Sequence, residues 1–198
     1  MKKISDIHKA IKACSLCPKM CGEPVHGLDV KSKIMLLGQA PGEYEGPRGK
    51  PWAHTAGKTL FKWMNEALGW SEEDFRQKIY VGAMARCFPG KNKAKTGDRV
   101  PDRVELDNCR RYIKAEMDIL KPKVLIAVGK LAIEEVLGHK VKLDDVVGEE
   151  IQINFCGHEI KVIPLPHPSG RSTWIHSESG KKGLKKAIKL MRNLEGYL

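Results

Sequence analysis

Six cysteines include a pair whose spacing is typical of a metal site. Cys14 and Cys17 are separated by two residues, which allows two thiolates to bind one metal or cluster. Cys87 ends a predicted strand and Cys109 lies inside the next predicted helix, so both could face the N-terminal loop and complete a set of four ligands. Four cysteines hold either zinc or a [4Fe–4S] cluster, and this spacing does not distinguish the two. The alternative is that Cys87 and Cys109 are small buried apolar residues.

The other two cysteines have different interpretations. Cys21 is a rival third ligand, and Cys156, at a predicted hairpin turn, is interpreted as structural or as a free thiol. The N-terminus carries charges throughout, and the chain has no run of about 18 apolar residues, so we expect a cytoplasmic protein without a membrane span. A reducing cytoplasm argues against a disulfide framework.

The length of one loop indicates where the chemistry takes place. An excess of positive charge indicates the class of partner. Residues 39–57 follow a short apolar strand, and a loop of this length in a compact domain is usually functional. The 198 residues include 35 Lys and Arg against 24 Asp and Glu, a net charge of +11. Such a balance favours a polyanionic partner, with nucleic acid first. The alternative is a basic protein with no such partner.

Predicted strands and helices alternate along the chain, whose hydrophobic content of 41% is enough for a buried core. Helices are predicted at 2–12, 55–68, 102–120, 130–138 and 180–194, and strands at 33–38, 79–87, 123–129 and on both sides of the CGH turn at 156–158. The alternation predicts an α/β fold with a largely parallel central sheet, in one domain over residues 1–198, with Thr55 as a helix N-cap. Because ligands bind outside the carboxyl ends of such strands, the loops after Leu37, Ala85 and Leu165 should converge there.

Five segments in order resemble the uracil-DNA glycosylase superfamily and together span residues 10–192. They are CSLC, GQAPGEYEGPRGKPW with TAG, an RC segment with PG, NCRRYI with LKPKVLIAVGKLA, and LPHPS. The most similar branch is the iron–sulfur family 4 type, with some features of family 5. The resemblance implies a three-layer α/β/α fold and a base excision repair enzyme that hydrolyses the N-glycosidic bond of uracil or another deaminated base in DNA. It also implies a structural [4Fe–4S] cluster on Cys14, Cys17, Cys87 and Cys109, beside the DNA-binding face.

The same resemblance implies roles for residues of the long loop. The backbone of Gln39 and Ala40 holds the polar edge of the flipped base, and Trp52 stacks on that base in place of the family's Phe. Glu45, or as second choice Glu43, orients or activates the attacking water. The alternative is that both glutamates are solvated loop charges.

His167 in LPHPS matches the family's histidine that hydrogen-bonds the departing base. Three other positions depart from the family 4 pattern. Gln39 stands in place of a Glu, His54 replaces a Gly in the pocket wall, and Ala83 stands where an Asn reads the uracil edge. Because Ala cannot make a bidentate amide contact, these changes imply a wider pocket that admits other deaminated bases, or a changed activity.

Basic and aromatic residues are candidates for DNA contacts. Ser169, Arg171 and Trp174 lie in a loop that resembles the family's intercalating wedge, in which Trp174 would fill the gap left by the flipped base. The alternative is that Trp174 is an aromatic at the edge of the core. Lys91 and Lys93 lie in a basic loop and are expected to contact phosphates. The lysines of the C-terminal helix are interpreted as a solvated face.

Two other functions fit the same sequence. The first is a non-catalytic iron–sulfur nucleic-acid-binding protein, which the changes at Gln39 and Ala83 favour. The second is a zinc-stabilised nucleotide-processing enzyme with the same core. A covalent DNA adduct, known in one related branch, is not expected, because that branch uses a His in a basic insert and KNKAKTGDRVP contains none. We expect a monomer whose partner is damaged or deaminated DNA.

Overall fold

One β-sheet forms the centre of the computed structural model, which describes residues 3–170 and 172–198. Its strands are β1 (Ile34–Gly38), β2 (Tyr80–Ala83), β3 (Val124–Val128), β4 (Ile151–Phe155) and β5 (His158–Leu165). Within the described residues their order is β2-β1-β3-β5-β4. Neighbouring strands are parallel except β4 and β5, which form an antiparallel hairpin. The predicted α/β fold with a largely parallel sheet is therefore confirmed.

Helices flank the sheet and bury its inner strands. Every residue of β1, β2 and β3 is buried, as expected for short apolar runs in a parallel sheet. The α-helices of the described ranges are α1 (Ile4–Lys12), α2 (Glu45–Arg48), α3 (Thr55–Leu68), α4 (Glu72–Lys78), α5 (Arg103–Leu120), α6 (Lys130–Leu137), α7 (Leu143–Val146) and α8 (Glu178–Met191). Helix α1 packs with α5, and α3 packs with α8. None of these helices is both long and apolar enough to cross a membrane.

The short helices α2, α4 and α7 are absent from the prediction, because so few residues do not show the apolar spacing of a helix. Helix α4 has a local signal instead. The Ser71 hydroxyl accepts from the Asp74 N–H at 3.1 Å, and the Asp74 carboxylate accepts from the Ser71 N–H at 3.0 Å. The prediction of Thr55 as N-cap is wrong, since His54 is the N-cap of α3 and Thr55 is its first helical residue.

The second strand ends earlier than the predicted residue 87. After Ala83 the chain leaves the strand but stays bonded to the segment after β1. The N–H groups of Met84 and Ala85 donate to the carbonyl oxygens of Gly38 and Gln39 at 2.8 and 2.9 Å. These bonds hold the carboxyl ends of β1 and β2 together.

A buried polar chain links α1, β2 and α5. Arg86 pairs with one carboxylate oxygen of Glu116 at 2.6 Å, and the Tyr80 hydroxyl donates to the other at 2.7 Å. His8 Nε2 lies 3.1 Å from that hydroxyl, and the His26 ring stacks on His8 with 4.0 Å between centroids. Because the hydroxyl gives its proton to Glu116, it accepts the hydrogen bond from His8.

Candidate active site

A cavity of about 700 Å³ opens at the carboxyl ends of β1, β2 and β5. The strand order reverses at β1, and such switch points are the usual ligand sites of open α/β sheets. The walls come from residues within 38–45, 51–59, 82–83, 89–98 and 167–170. The predicted convergence of the loops that follow three strands is therefore confirmed.

Trp52 is held in the cavity wall by an unusual backbone conformation. Its φ of 58° lies in the left-handed region, which costs a bulky residue on the order of 1–3 kcal/mol. Its carbonyl accepts a hydrogen bond from Arg76 Nη2 at 3.4 Å. The indole lies so close over Gly38 that a Cβ there would be 2.7 Å from Cζ2, and only 8% of the side chain is exposed. Gly38, the last residue of β1, thus provides the space that this aromatic residue needs.

The rings of Trp52 and His167 lie side by side in the cavity. Their centroids are 5.8 Å apart and their planes are inclined at 40°. A base stacked between two rings needs about 7 Å, twice a van der Waals contact, so none fits between these two. The rings instead form adjoining walls, and a base that stacks on Trp52 presents an edge to His167.

The hydrogen bonds of His167 fix which of its nitrogens carries the proton. The backbone N–H of Ser169 donates to Nδ1 over 3.2 Å, and the Ser169 hydroxyl lies 2.9 Å from the same nitrogen. Since Nδ1 accepts, the proton of the neutral imidazole is on Nε2. Burial lowers the pKa of His167, and the charge of Asp98 opposes that shift. The residue is accordingly a neutral ring with one N–H that it can donate to a ligand.

Glu45 is a buried carboxyl group in the same cavity. It is the first residue of α2 and only 8% exposed. Burial raises its pKa to about 7, while hydrogen bonds from the backbone N–H groups of Trp52 and Gly42 and the charge of Arg76 oppose the rise. A carboxyl group whose pKa lies near neutrality is suited to exchange a proton with water at that pH.

Glu43 has different surroundings although it is only two residues away. Its side chain is 47% exposed and pairs with Lys91 at 2.9 Å. Lys91 Nζ also lies 2.9 Å from Asp98 Oδ1, so this lysine, predicted to contact phosphate, is engaged by two carboxylates. Asp98 lines the cavity. It is absent from the predicted site because only the folded conformation of the basic loop, closed by a bridge between Lys91 and Asp98, brings it there.

The remaining predicted base contacts line the cavity as well. Gln39 and Ala40 follow β1, and the Gln39 carbonyl accepts from the backbone of the segment after β2. Ala83 ends β2 and offers the cavity only a methyl group and its backbone. His54 is exposed at the mouth, where Nδ1 lies 3.0 Å from the Thr55 hydroxyl.

The predicted DNA contacts are not all in one place. Ser169 lines the cavity and is bonded to His167, and Lys93 is exposed on the basic loop. The Trp174 ring packs against α8, and its Nε1 donates to Asp144 at 3.0 Å, which matches the interpretation as an aromatic at the edge of the core. Arg171 lies outside the described residues.

The four cysteines of the predicted cluster come from three segments of the chain, and the thiols of three of them act on the fourth. The pKa of Cys87 is raised to about 12, by burial first and then by the thiols of Cys109, Cys14 and Cys17. Asn108 Nδ2 lies 3.4 Å from Cys17 Sγ, and Arg111 Nη2 lies 3.7 Å from Cys14 Sγ. The donor set thus fits a centre that binds several thiolates. In the part of the chain that is described, no group of three or more His, Cys, Asp or Glu side chains is arranged to hold a single metal ion.

The other two cysteines are not among the groups that raise the pKa of Cys87. A Cβ on Gly90 would be 3.5 Å from Cys21 Sγ, which places this thiol against the start of the basic loop. Cys156 is at the turn between β4 and β5, as predicted, with a left-handed φ of 54°.

Comparison with known proteins assigns the chain to a family. Residues 25–192 match the model of the uracil DNA glycosylase superfamily, and the chain belongs to that superfamily. The resemblance stated from the sequence motifs is confirmed.

Named relatives of two types are similar to this chain. A type-4 uracil-DNA glycosylase of Pyrobaculum aerophilum is 29% identical over 174 residues, which cover 84% of this chain and 83% of the relative. A type-4 enzyme of Saccharolobus solfataricus is 31% identical over 143 residues, which cover 70% of this chain and 62% of the relative. A type-5 uracil-DNA glycosylase of Pyrobaculum aerophilum is 27% identical over 119 residues, which cover 55% and 50%.

Proposed function

We propose that this protein is a DNA glycosylase that hydrolyses the N-glycosidic bond of uracil or another deaminated base in DNA. One observation carries the proposal: a neutral His167 with its proton on Nε2 and the buried carboxyl group of Glu45 face the same cavity, whose wall contains Trp52. The names of the relatives, type-4 and type-5 uracil-DNA glycosylases, support the same reaction.

His167 acts on the departing base. When the bond between the anomeric carbon and the base nitrogen breaks, the electron pair leaves with the base and the sugar gains positive charge. A neutral imidazole donates its Nε2–H to the base in a hydrogen bond. This bond stabilises the negative charge on the base while the proton stays on the imidazole. The target nucleotide must first leave the helix stack, at a cost of a few kcal/mol, and stacking on Trp52 offsets part of that cost.

Glu45 acts on the water. Its ionised carboxylate accepts a proton from the water that attacks the anomeric carbon, and its negative charge stabilises the cationic sugar. Glu43 is paired with Lys91 and exposed, so its charge is already compensated at the surface. We therefore assign the water to Glu45 and not to Glu43.

The test uses oligonucleotides that carry uracil, hypoxanthine or xanthine, with alkali cleavage of the abasic product as readout. We expect product from the wild type, and a loss of roughly 10²–10⁴-fold in rate for Glu45→Gln and for His167→Ala. The controls are Glu66→Gln and His139→Ala, two exposed residues outside the cavity. DNA binding without any abasic product would instead favour the non-catalytic binding protein, which the Ala83 and Gln39 positions support.

We also propose that Cys14, Cys17, Cys87 and Cys109 hold a [4Fe–4S] cluster. Such a cluster, when bound, supplies a covalent cross-link between the N-terminal loop, the segment after β2 and α5. The effect of the other three thiols on the pKa of Cys87, and the hydrogen-bond donors of Asn108 and Arg111, support this assignment.

Iron and acid-labile sulfide in equal amounts, with broad visible absorption, are expected in the purified protein. Cys109→Ser should lose iron, whereas Cys21→Ser should keep it. Zinc in place of iron would support the zinc-stabilised alternative. The predictions of a single domain over residues 1–198, of a monomer and of a cytoplasmic location stay predictions.

A further inference from the structure

An aromatic pair lies at the mouth of the cavity, separate from the Trp52–His167 pair inside it. The Tyr44 ring is 4.6 Å from the His54 ring between centroids, with 39° between the planes, and both residues line the cavity. Tyr44 is 52% exposed and is the one aromatic among the large apolar side chains that are exposed in the described ranges. These two rings are in contact with each other and exposed to solvent next to the cavity. They therefore present an aromatic surface that is not packed in the core.

The position of this pair means that it does not stack on the same base as Trp52. Trp52 is 8% exposed and lies over the end of β1, whereas Tyr44 and His54 are exposed where the cavity opens. A base that stacks on Trp52 therefore does not touch the outer face of Tyr44. A ligand on Tyr44 would be the next group along the same strand.

A cation that can bind a phosphate lies beside this pair of rings. The Arg48 guanidinium is 5.9 Å from the centre of the Tyr44 ring. Lys91, on the cavity wall, is already paired with both Glu43 and Asp98. A DNA strand that reaches Tyr44 would therefore meet the guanidinium of Arg48 next to the ring.

We propose that Tyr44 and His54 form a stacking platform for the nucleobase next to the extruded nucleotide, with Arg48 on the phosphate between the two. This rests on the proposed function and deepens it. Stacking on an aromatic ring is tolerant of base identity, since every base has a π-face. Because a base on the platform has left its own helix stack, the enzyme should prefer single-stranded or locally melted DNA over a duplex.

The experiment compares Tyr44→Ala and Tyr44→Phe with the wild type on single-stranded uracil oligonucleotides. In matched substrates the nucleotide on one side of the uracil, then on the other, is replaced by a reduced abasic residue that has no base to stack. We expect roughly tenfold lower kcat/KM for Tyr44→Ala, little change for Tyr44→Phe, and a similar loss when one of the two neighbouring bases is removed. The two losses should not add, because they remove the same contact. His139→Ala, at an exposed site outside the cavity, is the control.

Binding of the same oligonucleotides, measured by fluorescence anisotropy, separates this proposal from the enzymatic one. If the wild type excises no base, the proposed function fails, but a non-additive loss in Kd on changing Tyr44 and the neighbouring base still supports the platform. Additive losses, or a Tyr44→Ala variant with unchanged Kd and kcat/KM, would overturn the platform even when excision is normal. If Tyr44→Ala weakens binding to duplex and to single-stranded DNA by the same factor, the inferred preference for single-stranded DNA is wrong.

Discussion

Two glutamates in the long loop show how the surroundings of single residues divide their chemistry. Glu43 and Glu45 are only two residues apart, yet Glu43 is paired at the surface and Glu45 is buried and accepts a hydrogen bond from the backbone of Trp52. Burial raises the pKa of Glu45 to about 7. In the role proposed for Glu45, its ionisation should therefore limit activity at mildly acid pH.

The first prediction concerns the pH dependence of excision. Because Glu45 must be ionised to accept a proton, kcat/KM of the wild type should rise about tenfold per pH unit below pH 7 and level off above it. Glu45→Gln should remove this rise together with most of the activity. A wild-type profile that is flat between pH 5 and 8 would contradict the assigned role of Glu45.

The second prediction is that Glu45→Gln stabilises the fold at high pH. The folded state raises the pKa of this group from 4.5 to about 7, so it binds more protons than the unfolded state in that interval. Stability is therefore lost as pH rises from 4.5 to 7, on the order of 3 kcal/mol at pH 8. Glutamine has no such loss, and we expect a Tm roughly 10 °C higher at pH 8 but nearly unchanged at pH 4. Glu66→Gln, at an exposed position, should show no gain.

The resemblance to the glycosylase motifs predicted Trp52, His167 and Glu45 in one site, and the cavity contains all three. Asp98 and the engagement of Lys91 were not predictable in this way. Both depend on the path of the basic loop, and a loop of mixed lysines and glycines has no periodic pattern that reports its path.

At the scale of elements, the junction between β3 and α6 supports the site. Gly129 caps α6 with φ 88°, and a Cβ on it would lie 3.3 Å from Cδ2 of His167. Its N–H donates to the Leu165 carbonyl at 2.9 Å, which fixes the end of β5 just before His167. Helix α6 thus begins with a residue that both bonds the neighbouring strand and leaves room for the imidazole.

The third prediction compares the two ends of this helix. Gly129→Ala should reduce kcat about tenfold or more, since even a shift near 1 Å in a catalytic group is costly. Gly138→Ala is the control: Gly138 ends α6 with a similar φ of 80°, and a Cβ there meets nothing within 4 Å. Both variants place a side chain at a positive φ, but ψ is 153° at Gly129 and 6° at Gly138, so Gly129→Ala carries the larger backbone strain in addition to the contact with His167. Equal activity of the two variants would show that the contact does not matter.

The strands and long helices were predictable from the apolar patterns of the sequence, because these patterns reflect which residues are buried. The end of β2 and the short helix α2 did not, since both are set by backbone hydrogen bonds to the segment after β1 and by the turn around Trp52. These irregular pieces build the cavity, which explains why the fold was more predictable than the shape of the site.

At the scale of the whole molecule, the buried chain from His8 to Glu116 connects the N-terminal helix to the sheet. Burial, and then the charges of His26, Arg86 and Lys12, lower the pKa of His8 to about 4. Burial also lowers the pKa of His26, which stacks on it. The unfolded chain therefore binds protons at these residues at a higher pH than the folded protein does.

The fourth prediction is a loss of stability in acid. His8 has an ordinary pKa of 6.5 when unfolded, so stability should fall as pH drops from 6.5 towards 4, by on the order of 2 kcal/mol for this residue. Urea unfolding at pH 7.5 and 5 measures the effect, in a Glu45→Gln background because Glu45 shifts stability in the opposite sense over the same range. His8→Phe should flatten the dependence, and an unchanged slope in that variant would exclude His8 as the cause.

The net charge of +11 predicted a polyanionic partner, but it did not show which lysines are available. Lys91 is neutralised by carboxylates, and Lys186 and Lys181 of α8 pair with Glu149 and Glu178. Such pairing depends on tertiary neighbours, which composition does not contain.

The indole of Trp52 also makes the cavity observable by fluorescence. Its ring forms part of the wall beside His167, while Trp63 and Trp70 are buried elsewhere and Trp174 packs on α8. A nucleobase that settles against Trp52 should quench its emission, so the natural chain carries its own reporter for the arrival and release of the extruded base, without any attached dye.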